Sequence, residues 1–103
     1  MMGKYVLAYR GGGMAATEAE QQAAMTAWMS WFGELGSAVI DGGNPFGPST
    51  SVAPSGAGGQ AASGLTGYSV LSADSLSAAA DLAKGCPILT SGGTVDVYEA
   101  IDM

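Results

Sequence analysis

Residues 24–48, AMTAWMSWFGELGSAVIDGGNPFGP, carry the end of a helix, a short strand and a turn-rich loop in succession. Ala24, Trp28, Trp31 and Leu35 recur at helical spacing and form one stripe. Met25, Met29 and Phe32 widen it to roughly 160°, more than the ~100° a helix needs to cover one sheet face. That surplus calls for a pocket, a partner subunit or a deep core. Gly36 stops the helix, Ala38–Asp41 reads as a strand, and the glycine pair with Asn44-Pro45 punctuates a loop through Pro48. A pocket in this protein is expected to use the segment as one wall.

Upstream, Lys4–Tyr9 is rich in β-formers and reads as a first strand. The run Arg10-Gly11-Gly12-Gly13 lacks both the Walker spacing and the G-x-G-x-x-G fingerprint, so it reads as a flexible strand-to-helix connection. Thr17 with Glu20 fits a capping box and starts the helix. Downstream, Ser49–Ala53 alternates weakly and is expected as a further edge strand, and Pro54–Ser63 as a mobile, dispensable hairpin loop. Leu65–Ala73 is a second long strand, with Gly67 as a bulge. Asp74 or Ser75 caps a second helix running to Lys84, its apolar side made of Leu76, Ala79, Ala80 and Ala83. Gly85 and Pro87 end that helix, and Ile88-Leu89 packs on the way to a Gly92-Gly93 turn. Thr94–Ile101 alternates as a last strand, with Val95, Val97, Glu99 and Ile101 on one face.

The order is β-α-β-β-α-β, a single α+β domain over residues 1–103. Right-handed crossovers put both helices on one face of a four-stranded antiparallel sheet, a ferredoxin-like sandwich. The other face and the sheet edges are left open, which predicts a homodimer.

Composition removes several functions. The chain has 103 residues, 48% hydrophobic and 12% charged, a globular composition for one domain. Its net charge of -6 sets nine acids against Lys4, Arg10 and Lys84, so it lacks the basic stripe that nucleic acid or an anionic membrane surface requires. With no histidine and the single cysteine Cys86, a structural zinc site and histidine-dependent triads are excluded. Cys86 has no internal disulfide partner, and beside Pro87 it reads as a small buried residue. The acids are not clustered as a magnesium or calcium site needs, and no metal or other cofactor is expected. No apolar run reaches the roughly 20 residues of a membrane span, and no leader pattern opens the chain. A soluble, cytoplasmic protein is expected.

Candidate ligand-binding residues are Tyr9, Arg10, Trp28, Trp31, Asp41, Asn44 and Phe46. The two tryptophans either floor a pocket or pack a core or dimer contact. Asp41 ends a strand beside a glycine loop, where it acts as an acid or base or caps the turn. Arg10 anchors a ligand carboxylate or makes a surface ion pair. Asn44 and Phe46, with Ser49, line a pocket mouth or shape the loop.

Lys4-Tyr5, Trp28-x-x-Trp31, Leu35-Gly36, Asp41-x-Gly43, Gly67-Tyr68, Ser75-Leu76, Ala79-Ala80, Cys86-Pro87 and Gly93-x-Val95-x-Val97 occur in that order over nearly the whole chain. This set resembles the YCII-related proteins, close to the branch also called DGPF-domain proteins. The resemblance implies a dimeric α+β barrel-like assembly with a pocket between the first helix and the sheet at the subunit interface. Some members of that family carry a first-helix histidine and an Asp-Pro pair, suggested to act in acid–base chemistry, and a dehydrochlorinase-like activity is known among relatives. Here those positions hold Trp28 and Cys86, neither of which shuttles protons near neutral pH as histidine does. Two function classes follow: a small-molecule binding or accessory protein without chemistry of its own, and a lyase or isomerase acting on a small, partly apolar acid with Asp41 as base and Arg10 as anchor. The missing histidine favours the first.

Overall fold

The computed structural model describes residues 3–12, 17–59 and 64–101. In chain order it contains β1 (Gly3–Arg10), α1 (Glu18–Leu35), a 3-10 turn (Gly36–Ala38), β2 (Val39–Asp41), β3 (Val52–Ala53), β4 (Gly56–Ala57), β5 (Leu65–Ala73), α2 (Leu76–Ala83), a second 3-10 turn (Pro87–Ser91) and β6 (Thr94–Ala100). Both helix starts follow from local chemistry. The Thr17 hydroxyl accepts from the Glu20 N–H at 3.1 Å, and the Ser75 hydroxyl accepts from the Ala78 N–H at 3.0 Å, satisfying donors that each helix leaves unpaired. Gly36, with φ 56°, ends α1 in a conformation side chains disfavour, and its N–H returns to the Phe32 carbonyl.

The main sheet has the order β2-β5-β1-β6 with every neighbouring pair antiparallel. With two α-helices among the described residues, the architecture is α+β and compatible with the ferredoxin-like sandwich expected from the element order. Tyr9 lies opposite Gly67 and Arg10 opposite Leu65, so Thr66 is the extra residue of a bulge beside the glycine expected to mark it.

Three expectations are corrected. Ser49–Ala53 does not join the main sheet: Val52–Ala53 pairs with Gly56–Ala57 as a small hairpin of its own. Pro48 and Pro54 bracket this segment and cannot donate to a ladder, and Val52 is exposed, with no core to hold it. The stretch 54–63 is therefore partly built into that hairpin, closed by the Ser51 N–H to the Gly59 carbonyl at 2.7 Å; its last four positions, 60–63, lie outside the described residues. Leu76 and Leu89 are exposed rather than packed. Tyr5, Ala73 and Ala79 close that end of the core, and Leu82, not Leu76, packs against them.

Strand alternation sorts the sheet. Tyr5, Leu7 and Tyr9 of β1, with Ser69, Leu71 and Ala73 of β5, are buried toward the helices. Trp31 of α1, Ala83 of α2, Cys86 and Ile88 complete the same core. The opposite face carries the cross-strand row Tyr98–Val6–Val70, over which neither helix packs, and Tyr98 is 59% exposed. Helix α1 leans on this core only by its C-terminal half; Glu18–Ala27 is exposed throughout, as are Met25 and Met29. The chain consequently measures 45 × 43 × 18 Å with a radius of gyration of 15.0 Å, against about 13 Å for a compact chain of this length.

Candidate functional site

Where α1 lifts from the sheet, a cavity of about 530 Å³ opens between them. Met25, Trp28 and Phe32 form its helical wall, and Tyr9, Gly67 and Ser69 its sheet floor. Gly42–Pro45 and Ile88 close two further sides. This volume lies within the range of small-molecule pockets, which are mostly apolar with a few placed polar groups.

The loop wall is held by main chain. After Asp41 the chain bulges away from β5 and rejoins it, with the Tyr68 N–H donating to the Asn44 carbonyl at 3.3 Å and the Phe46 N–H to the Thr66 carbonyl at 2.9 Å. Gly43 makes the bulge feasible: its φ is 75°, and a Cβ there would fall on the Tyr68 carbonyl. Gly67 is needed opposite, because a Cβ would stand 3.1 Å from the Asn44 carbonyl oxygen.

The aromatic wall is a cluster. Trp28 meets Tyr9 edge-on with ring centroids 5.2 Å apart, and Phe32 lies 5.8 Å from Trp28 with its ring tilted by 39°. Below it, the Tyr9 hydroxyl donates to Ser69 Oγ at 2.7 Å, and Ser69 Oγ donates to the Gly42 carbonyl at 2.7 Å. This relay ties floor to loop. Thr66 Oγ1 similarly donates to the Tyr9 carbonyl at 3.2 Å.

Of the residues expected at a site, Tyr9, Trp28 and Asn44 line this cavity, and Arg10, Trp31, Asp41 and Phe46 do not. Arg10 pairs with Asp96 at 3.0 Å, where both side chains are partly exposed. Asp41 is exposed and caps the bulge, its Oδ1 accepting the Gly43 N–H at 2.8 Å. The two groups expected to act together as base and anchor therefore have separate structural partners. Trp31 belongs to the core, its indole donating to the Leu82 carbonyl at 3.3 Å. Phe46 stacks on Tyr68 with centroids 5.7 Å apart. Sequence reasoning missed Ser69, although β5 carries a signal for it. In a strand alternating Ser69, Leu71, Ala73 toward the core, a serine at an inward position must find a partner.

Burial pushes the Tyr9 phenol far above its usual range, so it stays neutral at any physiological pH. Burial likewise pushes the neighbouring Cys86 thiol up to about 11. A thiol that ionises at 9.0 when unfolded but near 11 when folded stabilises the protein fully below pH 9, and the contribution is lost as pH rises through 11. Denaturant unfolding at pH 7.5 and 10.5 should show a loss that is about 2 kcal/mol smaller in Cys86→Ala, the buried Tyr9 phenol contributing part of what remains. Equal losses in the two proteins would disprove the assignment.

Among the described residues no group of three or more His, Cys, Asp or Glu is arranged to hold a metal ion, and no helix is long and apolar enough to cross a membrane. Comparison of the chain with family models, with curated proteins and with solved structures gives no match.

Proposed function

We propose that this protein binds a small, neutral, largely apolar molecule between α1 and the sheet, as a binding or accessory protein without catalysis of its own. One observation carries the reading: among the described residues, the cavity wall contains no Asp, Glu, Lys, Arg or His. An enzyme of acid–base type needs a titratable group within hydrogen-bond reach of the substrate. The residues lining this cavity supply aromatic surface, and the hydroxyl protons of Tyr9, Ser69 and Thr66 are engaged within the protein. Kinship with the YCII-related proteins and a cytoplasmic location are part of the same proposal, the former supported by the ordered motif set and the fold class.

The assembly we propose is a homodimer, built as a dimeric α+β barrel with the cavity at the subunit interface. The uncovered Tyr98–Val6–Val70 row and the exposed Met25 and Met29 support it. Contiguous apolar patches of this kind are uncommon on monomers. Sedimentation at micromolar concentration should give twice the 10.2 kDa chain mass; a single-chain species would exclude the dimer.

Quenching of tryptophan fluorescence by neutral aromatic compounds tests the binding reading. Saturable quenching lost in Trp28→Ala but kept in Arg10→Ala is the expected result. Turnover of small halogenated or dicarboxylic substrates that Asp41→Asn abolishes would overturn it in favour of a lyase or isomerase.

A further inference from the structure

The uncovered sheet face differs between its two ends. Strand register puts Ala100–Lys4–Ser72 in one cross-strand row and Asp96–Ala8–Tyr68 in another, both on the side of Tyr98–Val6–Val70. The first row is a hollow: about 380 Å³ lies over it, walled by Ile40 and Ile101. The second is a ridge, because Phe46, 46% exposed, stacks on Tyr68 at its end. Charge is divided in the same sense. Lys4 stands exposed in the hollow and, among the described residues, has no ion pair. Asp96 stands in the ridge row beside its own Arg10. The apolar row lies midway, about 7 Å along the strands from each.

We propose that a second copy of this chain packs on this face with the two-fold axis running along the Tyr98–Val6–Val70 row, across the strands. The proposal rests on the homodimer put forward above and adds its register and its contacts. That axis exchanges the two outer rows. The Phe46–Tyr68 ridge of each copy enters the hollow of the other, over Ser72 and Ile40. Each Lys4 arrives over Ala8 of the other copy, whose methyl leaves room between Tyr68 and Asp96. A lysine stem spans most of the roughly 10 Å between stacked sheets, so its ammonium reaches that Asp96. Symmetry makes the contact twice. With the axis along the strands instead, hollow would face hollow and Lys4 would stand near Lys4, leaving a void and a like-charge pair. Asp41, at the edge of the axis row, meets its own copy, but it is exposed, engaged by the Gly43 N–H and screened by solvent.

Equilibrium sedimentation of the full chain over a concentration series tests the register. Lys4→Glu sets two acids together at both contacts, and Asp96→Lys two lysines, so each should raise the dimer dissociation constant about tenfold or more. General repulsion between chains of net charge -6 predicts the opposite for Asp96→Lys, so its weakening is specific. Combined in one chain, the two changes restore both contacts with their signs exchanged, and the constant should return to within about threefold of the unmodified value. Phe46→Ala, which blunts the ridge, should raise it about tenfold by itself. Asp96→Lys also loses the Arg10 pair within the chain. If a thermal melt shows that it does not fold, Asp96→Asn replaces it, and Lys4→Glu should then cost less in that background than in the unmodified protein. An unmodified protein that stays a single chain at micromolar concentration overturns the homodimer and the register together. A dimer in which the charge changes do not compensate, or in which Phe46→Ala has no effect, overturns the register and leaves the homodimer standing.

Discussion

Gly43→Ala should destabilise the protein by more than about 4 kcal/mol, while Gly42→Ala should cost under about 1 kcal/mol. The two glycines are adjacent and chemically identical. At Gly42 a Cβ meets nothing within 4 Å, and φ is not in the left-handed region. At Gly43 φ is 75°, which costs a side chain about 1–2 kcal/mol by itself. The greater penalty is steric: the Cβ would fall on the Tyr68 carbonyl, which is main chain of a central strand and cannot rotate aside. Relief requires the bulge to move off β5, which breaks the Tyr68-to-Asn44 and Phe46-to-Thr66 hydrogen bonds and opens the loop wall of the cavity. Urea denaturation of the two variants decides it. Similar small losses would mean that the bulge adapts and that the cavity wall is not fixed by Gly43.

Trp31→Ala should cost about 3–5 kcal/mol, a large part of the 5–15 kcal/mol that holds a domain of this size together. Its ring is 4% exposed and packs with Leu7, Leu71, Ala83 and Ile88 in one core cluster. Gly85 is pressed against it, a Cβ there standing 3.1 Å from the indole, so the surrounding structure has little slack with which to fill the void. The indole N–H bond to the Leu82 carbonyl is lost as well, which removes a partner from a partly buried acceptor. Trp28→Ala should behave differently. That ring is only half buried and forms cavity wall, so its loss should cost less stability and remove ligand-dependent quenching. Equal destabilisation by both changes, with binding retained in Trp28→Ala, would show that the tryptophans share one structural role.

This pair also marks how far the sequence reaches. Helical spacing places Trp28 and Trp31 on one stripe, and nothing in the spacing separates them, because three residues turn the helix to within only ~60° of a full circle. Their division into wall and core depends on how far α1 lifts from the sheet, a tertiary quantity. Asp41 and Arg10 behave alike in this respect. Each occurs at a strand end where a functional group is plausible, but the Gly43 N–H claims one and Asp96, across the sheet on β6, claims the other.

The sequence by itself determined the elements with strong local signals: both helix caps, the Gly36 stop, the two long central strands, the bulge beside Gly67 and the alternation of β6. These arise from contacts within a few residues, or from a period that repeats along one strand. Only tertiary structure decided that Val52–Ala53 folds on Gly56–Ala57 rather than on the main sheet, since a two-residue strand carries too little pattern to specify a partner. It alone brought Tyr9, Ser69 and Gly42, from three separate segments, into one hydrogen-bonded relay, because the direction of a proton depends on which acceptor stands at the far end.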